Sequence, residues 1–181
     1  QLSFVSEESI NKQAKQAYNS IKKTENIITS GNQVEMLNEV GKKVTTSVEN
    51  YFKEMGQFET LKNYEWEYIL IDEPETLNAW CMPGGKIAFY TGILDITENE
   101  DGMASVMGHE IAHAVAKHSL ERASQSLALK VGTTILEIAL EGALSSSSAD
   151  DYSVNLGLTL PFNRLQESEA DYLGLAFMTM A

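Results

Sequence analysis

Residues 97–115 read TENEDGMASVMGHEIAHAV, and the fold turns on how this stretch is taken. Met103, Val106, Met107, Ile111 and Val115 recur at intervals of three and four, the period of a helix with one apolar face. Thr97 with Glu100 has the spacing of a capping box, so the helix is expected to start there. Four residues of helix advance the chain by about 400°, which puts His109 and His113 on one face, one turn apart. Two neutral imidazoles so placed can reach one ion, and His109-Glu110-Ile111-Ala112-His113 is the HExxH arrangement that suits zinc. Glu110 lies between the two and need not bind metal, which leaves it to act as a general base.

Five residues can match by accident, and two histidines on a helix can be plain hydrogen-bonded surface groups. A catalytic zinc needs a third protein ligand, and that requirement tests the rest of the chain. The extended pattern HExxHxxGxxH would put glycine at 116 and histidine at 119, but the residues there are Ala116 and Ser119. His118 is one residue out of register, about 100° away around the helix, and suits packing or hydrogen bonding better. A carboxylate is therefore expected, and Glu167-Ser168-Glu169-Ala170-Asp171 offers three. Glu167 and Asp171 share a helix face, whereas Glu169 is turned about 200° from Glu167 and is expected to be solvated. Glu167 can ligate while Asp171 orients a histidine through its second ring nitrogen; spacing also allows the reverse.

Working outward, residues 6–28 and 33–55 show helical spacing of apolar residues, with a break at Ser30-Gly31-Asn32. Residues 65–71 are aromatic and branched and read as a strand. Residues 77–82 and 86–90 read as two more strands flanking the turn Pro83-Gly84-Gly85, and the three together suggest a small antiparallel sheet. Asn78-Ala79-Trp80 precedes the histidine helix and is a candidate edge on which an extended peptide pairs; an ordinary core strand is the alternative. A second helical stretch is expected over 120–144, then a serine-rich loop over 145–151. A last helix is expected from near Phe162, with Pro161 in its first turn and Asn163 with Gln166 as a cap pair. The expectation is an α+β architecture, mostly helical, forming a single domain over 1–181: amino-terminal helices over 1–56 and a catalytic core over 65–181.

Composition narrows the partners. Thirteen basic against 26 acidic side chains give a net charge of −13, which disfavours nucleic acid and anionic membrane surfaces. No uninterrupted apolar run is long enough to span a bilayer; 127–144 is broken by Lys130, Glu137 and Glu141. Cys81 is the only cysteine, so no internal disulfide forms, and with no basic neighbour before Lys86 it makes a poor nucleophile.

Asn78-Ala79-Trp80, Pro83-Gly84-Gly85, Tyr90-Thr91-Gly92, Gly108 through His113 and Asn163 through Asp171 together resemble metallopeptidase family forty-eight, over roughly Tyr68 to the end. The resemblance implies a zincin-like fold of the gluzincin type with one Zn2+ per chain. In it Glu167 is the third ligand beside His109 and His113, and Asp171 stands behind a ligating histidine. It implies an endopeptidase acting on unfolded or membrane-associated polypeptides, and the chain looks more similar to soluble members of the bacterial cell envelope than to the HtpX-like or prenyl-protease members. Such members are often lipid-anchored in the periplasm, which would place the anchor before Gln1. Family members usually carry a histidine or arginine beyond the last helix that completes the site, and nothing after Asp171 supplies one; Tyr152 and Arg164 are the candidates for stabilising the oxyanion. The loop at 145–151 falls where related enzymes carry a covering segment, so a lid is expected there. A chaperone-like module that binds zinc and holds clients without cutting them is the alternative, and Glu110 argues against it.

Overall fold

The sheet is covered on both faces, and its strands are buried along most of their length. The computed structural model describes residues 7–116 and 164–181. The expectations for His118, the stretch 120–144, the loop 145–151 and Tyr152 lie outside those residues, as does the side chain of Arg164.

Helix α1 (Glu7–Thr24) buries Ile10, Ala14 and Tyr18, four residues apart, with Glu7 and Glu8 in its first turn and Lys22 and Lys23 in its last. It stops short of the expected Ile28. Ile27 and Ile28 instead form strand β1 (Ile27–Ile28), paired antiparallel with Ile71 and Leu70, because branched side chains gain more from the sheet than from another helical turn. Helix α2 (Asn32–Glu54) starts after Gly31, whose φ of 109° suits glycine.

Strands β2 (Glu67–Ile71), β3 (Ala79–Met82) and β4 (Lys86–Tyr90) complete a four-stranded sheet of order β1-β2-β4-β3. The sheet is mixed. β3 and β4 form the expected antiparallel hairpin across Gly84 and Gly85, both at positive φ, but β2 and β4 run parallel. The loop after β2 carries the chain past the sheet to the outer position of β3, and β4 then returns into the gap between them.

Alternation along the strands divides the core. Leu70, Ala79, Cys81, Ile87 and Phe89 face a layer of helices that includes α2. Ile69, Ile71, Trp80, Met82, Ala88 and Tyr90 face the opposite way, onto Ala14 and Tyr18 of α1. Lys86, only 2% exposed, is accommodated because its Nζ donates to the Glu65 carbonyl at 2.6 Å and to Glu67 at 2.9 Å.

Helix α3 (Thr91–Thr97) follows β4 directly and leads into α4 (Glu100–Val115). The expected cap at Thr97 is corrected: Thr97 closes α3, and Asn99 caps α4 by accepting from Gly102 N–H at 3.0 Å. α4 buries Met103, Met107, Ile111 and Val115 against sheet and helices, each contributing about 1.5–3 kcal/mol of hydrophobic stabilisation. Helix α5 (Arg164–Met180) packs along α4, with Ala170 and Phe177 fully buried. Phe177 meets the rings of Tyr51 and Phe52 on α2. The result is a three-layer α+β fold: α1, the sheet, then α2, α4 and α5.

Candidate active site

Because Met103, Met107 and Ile111 turn one stripe of α4 into the core, the stripe holding Ser105, Val106, His109 and Glu110 opens on a cleft of about 610 Å³. The opposing wall is α5, which contributes Asp171, Gly174, Leu175 and Met178. Those residues follow one another at helical spacing, so one face of α5 supplies the wall.

His109 Nδ1 lies 3.0 Å from Asp171 Oδ1. A carboxylate only accepts, so His109 donates its Nδ1 hydrogen to Asp171, and in the neutral ring this leaves the lone pair on Nε2. His113 Nε2 approaches that lone pair at 3.1 Å, and the two Glu167 oxygens lie 3.4 Å from His109 Nε2 and 3.6 Å from His113 Nε2. One donor atom from each of His109, His113 and Glu167 thus falls within 4.8 Å of the others. Ligands at the zinc distance of about 2.0–2.1 Å in a tetrahedron stand about 3.3 Å apart, so these separations and this two-nitrogen, one-oxygen set fit a zinc-sized cation. Among the described residues this is the one group of three such side chains so arranged.

Glu110 has partial access to the cleft but is otherwise enclosed by protein, and this burial, then the nearby Glu167 carboxylate, push its carboxyl up to about 8. Positive charge beside such a group favours its ionised form, so a cation held by the neighbouring side chains and an ionised Glu110 support each other.

Of the three expected peptide-pairing residues, Asn78 and Ala79 line the cleft. Asn78 O accepts from Tyr90 N–H at 3.1 Å, which turns the main-chain groups of Asn78 towards β4 and those of Ala79 towards the other side. Among the described strands none pairs there, since β3 ends the sheet. The Trp80 side chain points away from the cleft, donates to Tyr90 Oη at 3.3 Å and meets the Tyr18 ring edge-on. The period-two alternation that brings Ala79 to the cleft side takes Trp80 off it. Cys81 is buried, which pushes its thiol up and keeps it unreactive.

Sequence reasoning did not pick out Ser105, Val106, Gly174 or Met178 as cleft residues. A signal was present: the first two precede His109 by four and three residues, and the last two follow Asp171 by three and seven.

The sequence profile described as Peptidase family M48 matches residues 42–181, and the chain belongs to that family. It is 37% identical over 137 residues to the mitochondrial metalloendopeptidase OMA1 of Schizosaccharomyces pombe, covering 76% of this chain and 40% of that protein. It is 30% identical over 112 residues to a candidate beta-barrel assembly-enhancing protease of Vibrio cholerae, covering 58% of this chain and 23% of the relative. It is 30% identical over 97 residues to the metalloprotease YcaL of Escherichia coli, covering 52% and 37%. The chain spans two fifths or less of the length of these relatives. No helix among the described residues is long and apolar enough to cross a membrane.

Proposed function

We propose that this chain is the catalytic domain of a zinc-dependent metalloendopeptidase that hydrolyses internal peptide bonds. His109, His113 and Glu167 hold one zinc ion, Asp171 orients His109, and Glu110 is the general base. The observation that carries this reading is the convergence of the two Nε2 atoms and the Glu167 carboxylate, with His109 and Glu110 lining an open cleft. A bound zinc ion lowers the pKa of water towards about 7 and polarises a carbonyl.

The chain's own residues do the rest. The Glu110 carboxylate accepts the proton of the attacking water and later hands it to the departing amine. The Ala79 N–H and C=O offer main-chain hydrogen bonds to an extended peptide, and Asn78 lies beside them. Pairing of this kind needs chain on both sides of the scissile bond, which favours internal cleavage of unfolded polypeptide. The wider assignment, protein quality control in the bacterial cell envelope, takes its support from the Vibrio and Escherichia relatives. An anchor ahead of Gln1 belongs to the same proposal and is tested by mass spectrometry of the native amino terminus.

The deciding experiment compares the protein with its Glu110→Gln variant for zinc content and for cleavage of unfolded casein. One zinc per chain in both, with cleavage reduced about 10²–10⁴-fold in the variant, is the expected result. Undiminished cleavage by the variant removes Glu110 from the mechanism, and absence of zinc from the purified protein overturns the site.

A further inference from the structure

Glu167, Asp171 and Gly174 occupy positions 0, +4 and +7 of α5, and seven residues fall only about 20° short of two helical turns. The stripe that carries both carboxylates therefore continues into a glycine. At that glycine α5 meets α4 backbone to backbone. A Cβ on Gly174 would lie 3.0 Å from His109 N and 3.2 Å from His109 Cα; a Cβ on Gly108 would lie 3.0 Å from Gly174 O.

Helix propensity disfavours glycine at both places, and alanine is the better helix former. What glycine supplies here is closeness, since a methyl group at such distances forces the neighbouring backbone to give by a few tenths of an ångström. Metal sites hold their ligands within about 0.2 Å. A displacement too small to unfold the domain is thus large enough to spoil the separations between Glu167 and the imidazoles. The touching atoms also belong to His109 itself, so the crossing is referenced directly to one proposed ligand.

We infer that Gly174, seated against Gly108 and His109, is a positioning residue that sets the distance of Glu167 and Asp171 from the two histidines, and so tunes metal affinity. This rests on the metal-site reading above. The crossing acts through the carboxylates, by the spacing it gives them.

The test is a double-mutant cycle on zinc affinity, by competition with a chromophoric chelator, using the protein, Gly174→Ala, Glu167→Gln and the pair. The visible spectrum of the cobalt(II)-loaded forms reports ligand geometry independently of activity. Gly174→Ala is expected to keep its circular dichroism, bind zinc about tenfold more weakly and shift the cobalt bands. In the Glu167→Gln background it should add much less than tenfold. Gly108→Ala fills the crossing from the other side and should reproduce the loss. Unchanged affinity and spectrum in Gly174→Ala overturn the inference, as does an equal loss with and without Glu167. If both glycine variants fail to fold, the crossing serves the fold and the inference falls. Absence of zinc binding by the parent, or no effect of Glu167→Gln, overturns the metal site itself.

Discussion

Replacing Asp171 with alanine removes the acceptor that His109 Nδ1–H meets at 3.0 Å. A carboxylate behind a ligating histidine fixes its tautomer and ring orientation, and losing one costs about 10–100-fold in metal affinity. The Asp171 side chain is 74% exposed, so water can take over the Nδ1 hydrogen when the carboxylate is gone. The lower end of the range then applies: about tenfold in zinc dissociation constant, or about 1.4 kcal/mol. Asp171→Asn keeps an acceptor oxygen but loses the charge and should fall between parent and alanine. Chelator competition at neutral pH measures all three. An Asp171→Ala variant that binds zinc like the parent, while Glu167→Gln is clearly weakened, would refute the orienting role. A loss well beyond a hundredfold would instead make Asp171 the ligand.

Two further outcomes follow from the packing and the charges. Phe177→Ala removes the ring that docks α5 on Tyr51 and Phe52, and is expected to destabilise by about 3–5 kcal/mol, lowering Tm by about 10 °C and weakening zinc retention with it; an unchanged Tm in calorimetry would contradict the docking. Burial works against ionising Glu67, but hydrogen bonds from Lys86 and Lys22 and their charges outweigh it and hold the carboxyl below its usual range. A folded-state pKa below the unfolded one contributes stability above the unfolded value and loses it as pH falls through the folded one. Glu67→Gln should therefore be less stable than the parent at neutral pH, with the difference vanishing in acid below the ordinary carboxylate range; a constant difference across that titration in urea melts would refute the ion-pair account.

What local spacing can encode, the sequence determined by itself. Helical period put His109 and His113 on one face and Glu167 and Asp171 on another, and the apolar positions of α1, α2 and α4 announced which sides would be buried. Those features depend on residues within two turns of each other, where backbone geometry alone sets direction. The choices left to the tertiary structure all involve competition between distant partners. Ile27 and Ile28 leave α1 because β2 offers them a ladder, β4 enters between β2 and β3 and makes the sheet mixed, and Asn99 takes the cap that Thr97 gives up in closing α3. Trp80 turns to Tyr18 and away from the cleft because the sheet is covered on both faces, a fact no single strand reveals. The same holds for the site: each carboxylate's direction was legible in its own helix, but its distance from the imidazoles is set where Gly174 meets Gly108, and that contact exists only once α4 and α5 have packed.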